Sequence, residues 1–253
     1  MRQHQRHQHI LQAVESRGFI SIEQLAEQLS VTPQTLRRDL TQLEQERKLK
    51  RYHGGAGPVE SSTVNTEYAT RKTQHFEAKE HIANLVADFL PDGASLFLNI
   101  GTTTESIARA LKSKRNDMKV VTNNLNVASI LSERDDFTVI VAGGEVRNSD
   151  GGIVGESAVD LISQFQMDYA VIGISGILPD GELLDYDYRE VRVSRAIIEN
   201  SGQILLCADH SKFSRTPMVR VCNISRVDHL FTDQEPSAKT QQMLLENDVT
   251  LHH

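Results

Sequence analysis

The feature that most constrains the fold of this chain is a regular alternation of short apolar runs and amphipathic segments from residue 95 onward. The apolar runs predict strands at residues 95–100, 119–122, 138–142, 169–174, 203–208 and 229–232, with a short last strand at 249–251. The amphipathic segments predict helices at residues 103–112, 126–132, 157–164, 188–200 and 237–246, preceded by one at 77–90. Strands that are apolar on both faces and alternate with helices are typical of a mostly parallel sheet covered on two sides. We therefore predict a large α/β domain over residues 75–253.

The first part of the chain has a different pattern, that of three closely spaced helices. Residues 2–16 predict the first helix, and residues 21–24 form a capping box that begins a short second one. Thr32 is a good N-cap, and Pro33 suits the first position of a third, longer helix. A short helix, a tight turn and a longer helix make up a helix-turn-helix.

The third helix has one apolar face and one polar, basic face. Leu36, Leu40 and Leu43 recur at i, i+4 and i+7 and form the apolar stripe. The opposite face carries Gln34, Arg38, Thr41 and Gln45, with Arg37 to one side. Arginine can bond guanine edges or phosphates, and glutamine can bond adenine. A solvated amphipathic helix has the same pattern, so it is the helix-turn-helix context that favours DNA.

A basic cluster follows this helix directly. Residues 48–55, with the sequence KLKRYHGG, place cationic side chains and an aromatic beside a glycine turn. We interpret them as a β-hairpin wing that lies on the phosphate backbone, with a solvated basic loop as the alternative. The residues predicted to contact DNA are Thr32, Gln34, Thr35, Arg37, Arg38, Thr41, Lys50, Arg51 and His53.

The predicted domains are a winged helix-turn-helix at residues 1–57, a linker at 58–74 and the α/β domain at 75–253. The linker is predicted because this stretch is rich in turn-forming residues and lacks apolar periodicity. Residues 1–75 contain 11 lysines and arginines against 8 acidic residues, whereas the remainder contains 16 against 26. A basic head on an acidic body is expected when only the head meets DNA.

Composition excludes several other classes of protein. The two cysteines, Cys207 and Cys222, do not make a disulfide framework. The polar N-terminus lacks the apolar core of a signal peptide, and no apolar run approaches the length of a membrane span. We therefore expect a cytoplasmic protein without membrane contact. His4, His7 and His9 are interpreted as solvated side chains near a mobile end.

Polar and small residues follow nearly every predicted strand. In an open α/β sheet, ligands bind at the carboxyl ends of the strands, so these residues are candidates for a binding site. They are Gly101, Thr102, Thr103, Asn123, Asn124, Gly143, Gly144, Glu145, Asp209 and Lys212. Each type also has a structural explanation: the asparagines can cap helices, the glycines can form plain turns, and the acids can form salt bridges.

The turn at residues 101–104 is the best phosphate candidate. Glycine lets the backbone approach closely, the hydroxyls donate, and the following helix offers its N-terminal N–H groups. The stretch from Thr102 to Glu105 also fits a capping box, which explains the same residues without a ligand. The local pattern favours neither the phosphate site nor the capping box. Lys212 can supply positive charge for a phosphate, and it therefore favours the phosphate site.

The segments TPQTLRRDL at residues 32–40 and YHGGA at 52–56 resemble the DeoR family of bacterial repressors. Segments GTT at 101–103, TNN at 122–124, AGGE at 142–145 and DHSKF at 209–213 resemble that family's sugar-phosphate-sensing domain. The resemblance implies a winged helix-turn-helix joined to an α/β domain of the sugar-phosphate-isomerase-like type. It also implies repression of an operator that is relieved by a phosphorylated metabolite, and assembly as a homo-oligomer, a dimer or a tetramer. The phosphate is then placed on Gly101, Thr102 and Thr103 with Lys212.

Four further segments are similar to those of family members that regulate glycerol metabolism: residues 62–66, 121–128, 150–156 and 197–201. Glycerol 3-phosphate is therefore the expected effector. No cofactor, metal site or enzyme activity is expected. The alternative is an enzyme of the sugar-phosphate isomerase type that carries a DNA-binding adapter, with Glu145 or Asp209 as base. Against it, the sequence offers no convincing acid/base pair, and fold alone does not imply activity.

Overall fold

The computed structural model describes residues 3–17, 20–46, 48–52, 54–57, 65–66 and 68–253. Two compact units make up the chain: the head, residues 1–74, and the body, residues 75–253. His53, which was predicted to contact DNA, and residues 58–64 and 67 of the predicted linker lie outside the described residues.

The head contains the predicted helix-turn-helix and its wing. Its helices are α1 (Gln3–Arg17), α2 (Ile22–Leu29), α3 (Pro33–Gln45) and α4 (Tyr68–Thr73). Its strands are β1 (Ile20–Ser21), β2 (Lys50–Tyr52) and β3 (Gly55–Gly57), which form an antiparallel sheet in the order β1-β3-β2. The fold class predicted for the head is confirmed. α4 was not predicted, and it lies inside the segment that composition had marked as linker.

Local sequence signals determine where α2 and α3 begin and end. The Ser21 side chain accepts from the Gln24 N–H, and the Gln24 side chain bonds back to the Ser21 backbone, so the predicted capping box is present. Ser30 then ends α2 in the left-handed conformation, with φ 51°, and Thr32 caps α3. The turn between the two helices is therefore short and fixed. A single apolar core holds the helices together; its largest fully buried side chains are Ile10, Ile20, Leu25, Leu36, Leu40, Leu43 and Leu49.

The body is built on a parallel sheet of seven strands. They are β4 (Ser95–Leu98), β5 (Lys119–Thr122), β6 (Thr138–Val141), β9 (Met167–Gly173), β12 (Ser201–Cys207), β14 (His229–Phe231) and β15 (Thr250–His252). Their spatial order is β15-β14-β12-β9-β4-β5-β6, and every neighbouring pair is parallel. The predicted mostly parallel α/β domain is confirmed.

Helices cover both faces of this sheet. They are α5 (Phe76–Phe89), α6 (Thr102–Lys114), α7 (Leu125–Leu131), α8 (Glu156–Ile162), α9 (Tyr188–Glu199) and α10 (Ala238–Glu246). Successive strand residues point to opposite faces, so Leu96 and Leu98 pack under α5, α6 and α7, whereas Phe97 packs under α8 and α9. Burial on both faces explains why the strands read as continuous apolar runs.

The order of the strands creates a switch point beside β4. The chain runs from β4 to β5 and β6 on one side, and then returns to β9 on the other side of β4. The loop after β4 therefore leads toward β5, and the loop after β9 leads toward β12 on the other side. A crevice lies between the two loops. In open α/β sheets this is the place where ligands bind.

The body also contains short antiparallel strands, which were not predicted. They are a hairpin of β7 (Glu145–Val146) with β8 (Ile153–Val154), and a sheet of β10 (Gly176–Ile177), β11 (Glu182–Asp185) and β13 (Val219–Asn223). These strands are two to five residues long, too short to show a period-2 pattern. Residues 150–152 and 180–181, which are rich in Asp and Gly, lie between the paired strands. Among the described residues, no helix is both long and apolar enough to cross a membrane.

Candidate functional sites

The exposed face of α3 carries the polar residues predicted to read DNA. The Thr32 hydroxyl accepts from the Thr35 N–H at 3.3 Å and fixes the start of the helix. The leucine stripe is fully buried, which turns the opposite face outward. Gln34, Arg37 and Arg38 are exposed there, as are Gln42 and Gln45 farther along. Guanidinium and amide groups are thus presented together on a face that is free of apolar side chains.

A hydrogen bond joins the wing to this helix. Arg51 on β2 donates from Nη1 to the Thr41 hydroxyl at 2.7 Å, and its backbone N–H donates to Glu44 Oε1 at 3.0 Å. Thr41 in turn donates to the Arg37 carbonyl at 2.7 Å. The structure therefore brings two of the predicted DNA-contacting residues, Thr41 and Arg51, into contact with each other. Lys50 is exposed on the same strand.

A buried carboxylate on the inner face of α3 was missed by sequence reasoning. Asp39 is only 1% exposed, and it accepts hydrogen bonds from the Arg6 guanidinium at 2.5 and 3.0 Å. His7 Nε2 lies 3.1 Å from the same carboxylate. The prediction that His7 is a solvated side chain is therefore wrong. Burial would raise the pKa of Asp39, but its hydrogen bonds to Arg6 and His7 outweigh this and lower it.

At the switch point of the body, the loop after β4 leads directly into α6. Gly101 is the N-cap residue and supplies no side-chain cap, so the capping-box explanation of this turn is wrong. The Thr104 hydroxyl lies 2.8 Å from both the Asn99 and the Gly101 carbonyl oxygens. The hydroxyls of Thr102 and Thr103 form no hydrogen bond with any other described residue, although both residues are over nine-tenths buried. Together with the N–H groups of the first turn, they form a concentrated set of donors.

Asn99 was not predicted as part of the site, yet it holds the two sides of the switch point together. Its amide donates to the Gly173 carbonyl at 3.3 Å and accepts from the Gly173 N–H at 2.9 Å, so it joins the ends of β4 and β9. The sequence signal available for Asn99 is that it is a polar residue directly after an apolar strand. The position of this asparagine fixes the backbone from which the candidate phosphate turn begins.

The two predicted asparagines after β5 have different roles. Asn124 caps α7, because its Oδ1 accepts from the Asn126 and Val127 N–H groups. Asn123 donates to the Ile153 carbonyl at 3.0 Å, and its Oδ1 is buried without a hydrogen-bond partner among the described residues. A buried acceptor of this kind needs a partner, so Asn123 remains a candidate for ligand contact.

The two glycines after β6 differ in the space around them. Gly144 has φ 145°, and a Cβ there would lie 2.6 Å from the Val154 carbonyl oxygen. Gly144 is therefore required by the approach of β8, which is part of the same chain. Gly143 has open space on its Cβ side. Glu145 is largely exposed and pairs with Arg189 at 3.3 Å, as its salt-bridge alternative predicted.

The residues after β12 include a fully buried acid. Asp209 caps the following 3₁₀ turn, and its Oδ1 accepts from the Ser211 N–H and hydroxyl. Lys212 Nζ lies 3.8 Å from Asp209 Oδ2. Burial raises the pKa of Asp209, but Lys212, Ser211 and His75 more than offset this and hold it low. Lys79, a buried lysine one turn after His75 on α5, was not predicted.

A buried ion cluster near the β7–β8 hairpin was also missed. Arg147 bonds to Asp150 at 2.7 Å, to Glu190 at 2.7 Å and to Asp187 at 3.1 Å. One guanidinium is thus shared among three carboxylates, which come from the β7–β8 turn and from the start of α9. Sequence alone gave no signal, because these residues lie up to 43 positions apart.

Two family models match successive parts of the chain. The DeoR-like helix-turn-helix domain matches residues 6–62, and the DeoR C-terminal sensor domain matches residues 74–234. The chain belongs to the DeoR family. The family resemblance read from the sequence is thereby confirmed, and it covers both the head and the body.

Several curated DeoR-type proteins are similar to this chain over nearly its whole length. It is 49% identical over 251 residues to the glycerol-3-phosphate regulon repressor of Escherichia coli, and covers 99% of both chains. It is also 49% identical to the protein of that name from Haemophilus influenzae, over 93% of this chain and 91% of that one. The repressor CsqR of E. coli is 39% identical over 97% of this chain and 94% of its own.

Solved structures of low sequence identity resemble part of the chain. Ribose 5-phosphate isomerase A from Neisseria gonorrhoeae is 15% identical, with a TM-score of 0.41 over 56% of each chain. A likeness at this level is too distant to bear on function.

Proposed function

We propose that this DeoR-family protein is a transcriptional repressor that leaves its operator when glycerol 3-phosphate binds the body. The observation that carries the proposal is the pairing, in one chain, of an exposed basic recognition face on α3 with a donor-rich turn at a sheet switch point. The 49% identity to glycerol-3-phosphate regulon repressors over almost the full length supports this choice of effector.

The head is proposed to bind DNA through α3 and the wing. Arg37 and Arg38 on α3 supply guanidinium groups for base edges or phosphates, and Gln34 supplies an amide. Lys50 and Arg51 on β2 are proposed to contact the phosphate backbone, which positions the helix without reading sequence. His53 completes this proposed set, which also includes Thr32, Thr35 and Thr41. The basic charge of the head, beside an acidic body, supports this division of labour.

The body is proposed to bind the phosphate of the effector at the N-terminus of α6. Gly101, Thr102 and Thr103 would supply backbone N–H groups and hydroxyls, and the helix end favours negative charge. Lys212 would complete the charge match. The glycerol hydroxyls are proposed to meet the edge formed by Asn123, Asn124, Gly143, Gly144, Glu145 and Asp209.

Repression by such a protein requires at least two heads on one operator. Helix-turn-helix dimers bind half-sites one helical turn, or a multiple of it, apart, so a homodimer or homotetramer is proposed. Effector binding would favour an arrangement of subunits in which the heads are wrongly spaced. Coupling of this kind is typically ~1–3 kcal/mol and is reciprocal.

A gel-shift titration tests the proposal. The full chain is titrated onto operator DNA at fixed salt, with and without glycerol 3-phosphate, and with glycerol as the control that lacks the phosphate. We expect glycerol 3-phosphate to weaken binding about 5- to 150-fold, and glycerol to leave it unchanged. Operator affinity that is the same with every phosphorylated three- to six-carbon metabolite would contradict the sensing role.

A regulator is favoured over the isomerase alternative because the named relatives are repressors. Glu145, one of the two candidate bases, lies exposed in a surface ion pair. Turnover of ribose 5-phosphate by the full chain would revive the enzyme hypothesis.

A further inference from the structure

Two histidines and an aspartate converge beyond the end of β12. His75 is the N-cap residue of α5, and Asp209 and His210 directly follow the strand. Each offers one ligand atom, and these atoms all lie within 4.8 Å of one another. We propose that His75, Asp209 and His210 bind a divalent transition-metal ion, of which Zn²⁺ is the best fit. No role in reading DNA or in holding the phosphate explains the two histidines.

The Asp209 carboxylate has a buried oxygen that accepts no hydrogen bond. The residue is 0% exposed, and its Oδ1 is occupied by two hydrogen bonds from Ser211. Oδ2 accepts no hydrogen bond from the described residues, and its ion pair with Lys212 Nζ is long, at 3.8 Å. A carboxylate oxygen that accepts no hydrogen bond is costly to bury. A metal ion at this position would satisfy it.

His210 is held in the way that metal-binding histidines usually are. Its Nδ1 lies 2.6 Å from Asp233 Oδ2, and its backbone N–H donates to Asp233 Oδ1 at 2.7 Å. A carboxylate that accepts from one ring nitrogen fixes the tautomer and leaves the other nitrogen, here Nε2, with a lone pair for the ion. Asp233 therefore acts as a positioning residue for His210.

His75 supplies the second imidazole from an unusual backbone conformation. Its φ of 51° is uncommon for a residue with a side chain, and its ring meets that of His210 edge-on, with centroids 4.9 Å apart.

The ligand set fits zinc more closely than a hard cation. Two imidazole nitrogens and one carboxylate oxygen suit Zn²⁺ and its neighbours, whereas Mg²⁺ and Ca²⁺ prefer oxygen alone. Zn–ligand bonds of about 2.0–2.1 Å place tetrahedral ligand atoms roughly 3.4 Å apart. The ligand atoms, which lie within 4.8 Å of one another, must therefore close in by up to about 1.4 Å. Three protein ligands leave a fourth position for water or another oxygen ligand.

One cation near the cluster opposes the bound ion, because Lys212 Nζ lies 3.8 Å from Asp209 Oδ2. A phosphate at the open position would offset both the ion and this lysine. We therefore expect inorganic phosphate and the metal to strengthen each other's binding, an expectation that rests on the proposed function, whereas the metal site itself does not.

Metal binding by the full chain tests the site directly. The protein is treated with a chelator and titrated with Zn²⁺ by calorimetry in phosphate-free buffer, and with Co²⁺ while the visible spectrum is recorded. We expect saturable binding and the intense absorption of four-coordinate Co²⁺. His75→Gln and His210→Gln should each abolish both signals, and Asp233→Asn should weaken binding about 10- to 100-fold.

His81→Gln is the matched control, because His81 is exposed on the same helix, α5. It should bind like the wild type, and circular dichroism should show that all variants fold. Binding that is absent, or equal in His210→Gln and His81→Gln, overturns the metal site. Binding that is present but unchanged by inorganic phosphate overturns only its link to the effector.

Discussion

Arg6 on α1 and Asp39 on the inner face of α3 form a two-point ion pair, with Nε to Oδ2 at 2.5 Å and Nη2 to Oδ1 at 3.0 Å. Asp39 lies between Arg38 on the exposed face and Leu40 in the core. The pair therefore fixes how α3 is seated on α1, and with it the direction of the basic face.

Removal of Arg6 should destabilise the head. Arg6→Ala leaves Asp39 buried without its main partner, and loss of one member of a buried pair costs about 3–5 kcal/mol. We expect about 2–3 kcal/mol here, because the Arg6 side chain keeps 12% of its surface in water. Hydrogen exchange of the α3 amides measures the loss. Lys48→Ala, which removes an exposed pair with Glu46, is the control and should cost less than about 1 kcal/mol.

Arg38 should read a base. If it does, Arg38→Ala costs roughly 1–3 kcal/mol at one operator position and relaxes specificity there. Binding to a panel of single-base operator variants measures this. Lys50→Ala is the comparison: as a phosphate contact it should weaken all sequences alike and reduce the salt slope by about 1. A uniform loss for Arg38→Ala would mean that Arg38 contacts phosphate instead.

The adjacent glycines after β6 should respond differently to alanine. Gly144→Ala places a Cβ 2.6 Å from the Val154 carbonyl oxygen at a positive φ, so the β7–β8 hairpin should be destabilised. Gly143→Ala meets open space, so thermal stability should change by no more than about 0.5 kcal/mol. If the effector approaches Gly143, this second variant should still lose response to glycerol 3-phosphate. Full response in a normally stable Gly143→Ala would remove Gly143 from the proposed site.

The contribution of Glu190 in the Arg147 cluster to the stability of the body should fall with rising pH. Burial, helped by the charge of Asp185 and opposed by Arg147, raises the pKa of Glu190 to about 8. The folded state then binds a proton that the unfolded state, with an ordinary glutamate, has lost, so this contribution decreases between about pH 4.5 and pH 8. Thermal unfolding of the wild type and of Glu190→Gln across this range measures it. The stability difference between the two proteins should change with pH, and a constant difference would contradict the assignment.

Sequence patterns predicted the elements whose energetics are local or periodic. The cap at Thr32, the leucine stripe of α3 and the doubly buried strands each carry their signal within a few residues. The residues that follow the strands could also be predicted to lie together, because the carboxyl ends of parallel strands share one edge of the sheet. The structure places Gly101 and Asn123 at that edge, as the strand positions required.

What could not be predicted depends on residues that are distant in sequence. Asp39 looked like one more polar residue on α3, because its partner Arg6 is 33 positions away. Asn99 and Gly173 meet only once β4 and β9 pair, and Arg147 meets Glu190 only when the β7–β8 hairpin packs on α9. His75 gave no signal either, because its contact with His210 depends on where α5 lies against the sheet.

The most direct test is reciprocal linkage between operator DNA and effector. Fluorescence anisotropy gives operator affinity for the full chain with and without saturating glycerol 3-phosphate, and calorimetry gives effector affinity with and without operator. We predict that both affinities fall by the same factor, about 5- to 150-fold. In Lys212→Met, operator affinity without effector should persist while the effect of glycerol 3-phosphate is lost. An operator affinity that glycerol 3-phosphate leaves unchanged in the wild type would contradict the account.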